Sequence, residues 1–200
     1  MKLNDVMEAF AKENHVPILI KDGLEFILRY IQENPIENIL EIGTAIGYSA
    51  INMAKIRKTI QIDTLEINED WYKQACMNVQ NSGLENQIHL YLGDALCHNT
   101  AKKYDLIFVD AAKGQYRKYM EHFKENLTSE GIYIFDNLNF HGMVDKPSLT
   151  RSRRTRSLVL KIERFRNWIL HESAFETQFY SEVGDGIAVV SVKKDWDMIE

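Results

Sequence analysis

The chain has 200 residues, 45% of them hydrophobic and 26% charged, and a formal net charge of −5. That balance excludes a disordered or collagen-like chain, and at this length folding buries roughly 70% of the surface of the unfolded chain, enough for one full core without staples. No apolar run reaches the roughly 20 residues of a membrane span, and Asp5 and Glu8 stand where a secretory signal would be cationic and then apolar, so a cytoplasmic protein with no membrane partner is expected.

Leu3, Val6, Met7, Phe10 and Ala11, and then Leu24, Ile27, Leu28 and Ile31, recur at helical spacing, so residues 1–34 read as two amphipathic helices punctuated by Pro17 and Asp22-Gly23. From Asn38 strands and helices alternate. Strands are expected at Ile39–Ile42, Ile60–Leu65, Ile88–Leu92, Leu106–Val109 and Ile132–Phe135. Helices are expected at Gly47–Arg57, Glu69–Asn81 and Gln115–Asn126, the second of them stopped by Ser82-Gly83. Such alternation predicts right-handed crossovers and a doubly wound α/β fold with a parallel sheet covered on both faces. After Asp136 the rhythm breaks: residues 138–156 are polar and Arg-rich, and helical spacing resumes with Leu158, Ile162, Phe165 and Ile169. Phe175–Tyr180 and Ile187–Val192 flank Val183-Gly184-Asp185-Gly186 and read as an antiparallel hairpin. With three prolines and no Gly/Ser-rich linker, residues 1–200 are expected to form one domain, with a basic loop and helix over 138–170.

Charge is distributed unevenly. Arg151, Arg153, Arg154, Arg156, Lys161, Arg164 and Arg166 face a single acid, Glu163, which makes this segment +6 and the rest of the chain −11. Cys76 and Cys97 form no metal-binding or Cys-x-x-Cys spacing and are expected to be reduced thiols. The six histidines show no paired metal spacing, and Trp168 reads as helix core rather than a base-stacking platform.

The chemistry-bearing residues gather at strand ends. Glu41-Ile42-Gly43-Thr44-Ala45-Ile46-Gly47 is a glycine-bearing turn that opens a helix, where a ligand can approach the backbone; its G-x-x-x-G spacing is not the G-x-G-x-x-G of dinucleotide enzymes. Glu66 closes the second strand at a position suited to accept hydrogen bonds from both ribose hydroxyls of a nucleoside, and Asp94-Ala95 after the third strand suits an adenine edge. Each acid has an alternative reading as a helix N-cap. Asp110 ends the fourth strand and Asp136-Asn137 the fifth, so two carboxylates and an amide oxygen would converge on neighbouring strands. That donor set suits a hard cation such as Mg2+; the alternative has Asp110 capping a helix and Asp136 a turn.

Leu40 to Ser49, Phe108 to Tyr116 and Phe135 to Asn137 resemble the S-adenosylmethionine-dependent, metal-dependent O-methyltransferases of the catechol and caffeoyl-CoA type, and the resemblance extends from about Val16 to Val192. It implies a Rossmann-like methyltransferase sheet of seven strands with an antiparallel C-terminal hairpin and N-terminal helices, and the homodimer usual in the family. It also implies that Glu41, Gly43 and Ser49 line the methionine part of S-adenosylmethionine, Glu66 its ribose, and Asp94 with Ala95 its adenine. Leu19 stands where close relatives have methionine, and Asp110 borders both cofactor and metal. Asp110, Asp136 and Asn137 match the metal ligands, and Lys113 the proposed base.

Within that family, Asn137 to Arg166 is most similar to bacterial tRNA 5-hydroxyuridine methyltransferases. The resemblance implies methylation of the 5-hydroxyl of 5-hydroxyuridine to 5-methoxyuridine at the wobble position of the tRNA anticodon loop, with Arg151, Arg153, Arg154 and Arg156 on phosphates. A 5-hydroxyl beside O4 offers a metal two adjacent oxygens, as a catechol does. The alternatives are a methyltransferase of a small catechol or hydroxycinnamoyl substrate, and a non-catalytic nucleotide- or RNA-binding module.

Overall fold

The structure, a computed structural model, describes residues 2–150 and 152–193. Helices α1 (Leu3–Asn14) and α2 (Lys21–Glu33) come first. In α2 the helical period turns Leu24, Ile27 and Ile31 inward, and all three are buried; each such side chain contributes about 1.5–3 kcal/mol by leaving water. Then follow β1 (Asn38–Ile42), α3 (Tyr48–Ala54), β2 (Gln61–Glu66), α4 (Glu69–Ser82), β3 (Ile88–Leu92), β4 (Tyr104–Val109), α5 (Tyr116–His122) and β5 (Leu127–Phe135). Helix α6 (Arg153–His171) leads into the strands β6 (Phe175–Tyr180) and β7 (Ile187–Val192).

The seven strands form one sheet in the order β3-β2-β1-β4-β5-β7-β6. Strands β1 to β5 pair in parallel, while β7 runs antiparallel to both β5 and β6. The chain moves outward from β1 to β3 and then returns to β4 on the other side, so the order reverses between β1 and β4. A crevice opens at the carboxyl ends of strands at such a reversal. Strand alternation divides the core in two. Ile39, Leu106 and Phe108 pack with α1 to α4 on one face, whereas Leu40, Ile42, Ile107 and Val109 pack with α5 and α6 on the other. Among the described residues no helix is long and apolar enough to cross a membrane.

Several elements differ from the sequence reading, and the helix expected over 47–57 already ends at Ala54. The helix expected over 115–126 is a short α5 between 3-10 turns at Lys113–Gln115 and Lys124–Asn126. Strand β5 starts five residues earlier than expected, with an irregular register where Tyr104 pairs with Leu127 but Leu106 with Ile132. Helix α6 begins at Arg153, with Ser152 capping it by accepting from Thr155 N at 3.0 Å, so Arg153, Arg154 and Arg156 lie in its first turns rather than in a loop. Arg151 lies outside the described residues.

Candidate functional site

Strands β1 and β4 meet at Gly43. Its φ of +104° is left-handed, and a Cβ there would lie 2.1 Å from the carbonyl oxygen of Asp110, so only glycine lets the two connections touch. Gly43 N and Thr44 N both donate to Leu65 O, at 3.0 and 3.1 Å, which fastens the same turn to the end of β2. Ala45 is left-handed without being glycine (φ 46°), and its N–H is held by Glu66 Oε2 at 2.8 Å. The other oxygen of Glu66 accepts from Asn68 N at 2.7 Å. Burial raises the Glu66 carboxyl above its ordinary range, against the lowering effect of those backbone donors.

Above these strand ends lies a cavity of about 440 Å³, bordered by Gly43, Glu66, Asp94, Ala95, Asp110 and Lys113. The sequence-derived candidates for ribose and adenine therefore share one space with Asp110 and Lys113, whereas Asp136 and Asn137 do not border it. Asp94 also fulfils its alternative role: its Oδ1 accepts from Leu96 N at 2.9 Å and caps the 3-10 turn Ala95–Cys97. A carboxylate has further lone pairs to offer.

Three expected cofactor contacts are placed differently. Glu41 shares the face of Ile39, beneath α3, and is completely buried; Ser49 Oγ and Thr64 Oγ1 donate to its two oxygens. Burial pushes its carboxyl up to about 8, with the two hydroxyls acting in the opposite direction. Neither Glu41 nor Ser49 borders the cavity. Leu19 is buried in the core, where a Cβ on Gly23 would lie 3.5 Å from its Cδ1, and Pro17 borders the cavity instead. The physical reason is parity for Glu41, since odd positions of β1 face the α3 layer, and core packing for Leu19.

Asp110 and Asp136 end neighbouring strands, and Lys113 links Asp110 with Asn137. Lys113 Nζ donates to Asn137 Oδ1 and lies 3.9 Å from Asp110 Oδ1. Asp136 is buried, and its Oδ1 has no hydrogen-bond partner among the described residues. Burial raises both carboxyls; the charge of Asp110 raises Asp136 further, and Lys113 lowers both. An orphaned carboxylate oxygen beside a second carboxylate and an amide oxygen fits a hard cation. No three His, Cys, Asp or Glu side chains gather as a metal site among the described residues, so the candidate set depends on the asparagine. Asn137 is itself left-handed (φ 62°), as are Phe140 and His141 nearby, a concentration of strained backbone of the kind found at functional sites.

Sequence reasoning missed several neighbours. Tyr116 Oη donates to Asp136 O at 2.8 Å from a fully buried ring and fixes the backbone of the acid pair. The β6–β7 turn folds back over the acids: Gly184 approaches Asp136 Oδ1, and Asp185 accepts from His141 N at 2.7 Å. Trp71, Phe140 and Leu158 complete the cavity wall. Leu158 had a sequence signal as part of a helical stripe, and Tyr116 closes a stretch that carried the family resemblance.

A seven-stranded sheet in this order, with a cavity at the reversal and acids at successive strand ends, defines a Rossmann-like methyltransferase fold. Residues 3–193 match the O-methyltransferase family, and the chain belongs to it. It is similar to the catechol O-methyltransferase of Niastella koreensis, at 31% identity over 170 residues that span 78% of this chain and 74% of that protein. Similarity to the caffeoyl-CoA O-methyltransferase of Populus kitakamiensis is 24% over 157 residues; the chain spans 66%, just under two thirds, of that relative. It also resembles the tRNA1(Val) (adenine(37)-N6)-methyltransferase of Flavobacterium psychrophilum, at 31% over 125 residues, but spans only 51% of it. Among solved structures, a Staphylococcus aureus protein provisionally named a caffeoyl-CoA O-methyltransferase superposes with a TM-score of 0.90 at 36% identity, covering 96% of this chain and 93% of that one. A Bacillus cereus O-methyltransferase in complex with SAH superposes with a TM-score of 0.79 at 26% identity, covering 96% and 90%.

Proposed function

We propose that this chain transfers the methyl group of S-adenosylmethionine to the 5-hydroxyl of 5-hydroxyuridine in a tRNA anticodon loop. The observation that carries the choice of acceptor is the charge at the start of α6. Arg153, Arg154 and Arg156 are exposed, have no ion-pair partner among the described residues, and precede Leu158, which borders the cavity. No acid occupies the first turn of α6. Cations at a helix N-terminus oppose the helix dipole, so this arrangement costs stability unless an anion compensates. Phosphates beside a base held in the cavity supply that compensation, and an unpaired loop base can be splayed into a pocket.

When bound, S-adenosylmethionine supplies a sulfonium methyl group, and a divalent cation on Asp110, Asp136 and Asn137 acidifies the acceptor hydroxyl. The remaining work falls to the chain. Glu66, pre-oriented by Ala45 N and Asn68 N, accepts from the ribose, and Asp94 with Ala95 faces the adenine. The acceptor oxygen would form its bond to the methyl carbon as the carbon–sulfur bond breaks, and Lys113 Nζ, having released one of its own protons to solvent, would take the hydroxyl proton. Phe140 and Leu158 present apolar surface that keeps water from the methyl group.

A small catechol is the second reading, supported by the similarity to the Niastella koreensis enzyme. Mass spectrometry of tRNA nucleosides from a strain lacking the gene separates the two. The tRNA reading expects lost 5-methoxyuridine and accumulated 5-hydroxyuridine; an unchanged profile overturns it.

A further inference from the structure

A second cavity, of about 690 Å³, runs between α5 and α6 and shares Lys113 with the first. Its walls carry Lys113, Arg117, Lys118, Lys161 and Arg164 against a single acid, Glu121. Arg117 is already engaged, bonded to Glu121 at 2.7 Å and lying 4.5 Å over the ring of Trp168. Lys118, Lys161 and Arg164 are exposed and have no ion-pair partner among the described residues. By contrast, Arg166, two residues beyond Arg164, is neutralised by Asp145. At Gly114 a Cβ would lie 3.3 Å from Lys161 Cδ and 3.9 Å from Lys161 Nζ, so the Lys161 stem lies across the glycine beside Lys113.

On a chain with a net charge of −5, a groove with five cations and one acid is a local excess whose mutual repulsion calls for an anion. We infer that the groove between α5 and α6 is a phosphate track for single-stranded RNA whose target base enters the neighbouring cavity, an inference that rests on the tRNA reading above. Arg154, Lys161 and Arg164 follow one side of α6 over about 15 Å, farther than one phosphate group needs, and the groove meets the cavity at Lys113. One face of Trp168 is covered by Arg117, and the ring packs against Phe175 at 4.8 Å, so the groove offers charge rather than a stacking platform. It should therefore hold the backbone and tolerate any sequence there, leaving recognition of the base to the cavity.

The test is the triple variant Lys118→Ala/Lys161→Ala/Arg164→Ala, none of whose positions borders the first cavity. Binding of an anticodon stem-loop RNA containing 5-hydroxyuridine is followed between 50 and 200 mM salt. Each lost phosphate contact flattens the logarithmic salt slope by about 0.7, so the variant's slope should be shallower by about 2 and its affinity at 50 mM salt at least about tenfold weaker. Melting temperature, S-adenosylmethionine affinity and turnover of free catechol, if the parent accepts it, should be unchanged. Lys161→Glu alone should weaken RNA binding in the same direction. A folded triple variant with the parent's slope and affinity overturns the track while leaving the tRNA reading intact. A parent that neither binds nor methylates the RNA overturns both. Coenzyme A is the comparison ligand: if its binding is lost in the variant while RNA binding is not, the phosphates belong to a small molecule and the RNA track is wrong.

Discussion

Gly43→Ala tests the link between fold and site most sharply. The added Cβ would stand 2.1 Å from Asp110 O and 2.8 Å from Asp110 C, and both are backbone atoms that cannot rotate away. The turn is also tied to Leu65 O by two hydrogen bonds, so it cannot shift without losing them. Forcing a side chain into a left-handed φ costs about 1–2 kcal/mol, and displacing packed neighbours costs about 1–3 kcal/mol more. Together these give about 2–5 kcal/mol, a substantial part of the 5–15 kcal/mol that holds a typical domain together. For a chain of this length that corresponds to a fall in melting temperature of about 4–20 °C. Any relaxation must separate β1 from the Asp110 connection, so cofactor affinity should fall as well. Thermal unfolding with calorimetric titration of S-adenosylmethionine reads both quantities. A variant with the parent's melting temperature and cofactor affinity would refute the contact and the reasoning built on it.

Glu41→Gln should change the pH dependence of stability. A buried carboxyl raised to about 8 favours its protonated form in the folded state, so the parent loses stability as pH rises from the ordinary carboxylate range to about 8 and levels off above it. The variant should gain on the parent over that window by up to about 1.4 kcal/mol per pH unit; parallel urea-denaturation curves at pH 5, 7 and 9 would contradict this. Glu66→Ala removes the acceptor proposed for the ribose and should weaken S-adenosylmethionine by about 1.5–3 kcal/mol with little effect on RNA affinity, which separate titrations with each ligand decide. Asp110→Ala and Asp136→Ala should abolish methyl transfer while leaving much of the cofactor affinity, and a chelator should reproduce the loss. Full turnover in a chelator would remove the cation from the account.

Much of the fold was legible because alternating strands and helices write themselves in hydrophobic spacing, and strand-end acids stand out after apolar runs. Asp110 and Asp136 end neighbouring strands because β4 and β5 pair, which the strand-helix rhythm already implied. The face taken by Glu41 was not legible because β1 is apolar on both faces, and an isolated acid there carries no mark of the side it takes. Leu19 lies in an aperiodic connection, where only packing distinguishes it from Pro17. The start of α6 was hidden for a physical reason: three arginines in the first turns contradict the dipole preference. The β6–β7 turn over Asp136 is a contact between distant segments that no local pattern encodes.

The most direct measurement of methyl transfer to RNA incubates the enzyme with methyl-labelled S-adenosylmethionine, a divalent cation and an anticodon stem-loop bearing one 5-hydroxyuridine, then identifies the labelled nucleoside by mass spectrometry. Labelled 5-methoxyuridine that disappears when the 5-hydroxyl is replaced by hydrogen is the predicted result. No label in the RNA, with free catechol labelled under the same conditions, would contradict the account.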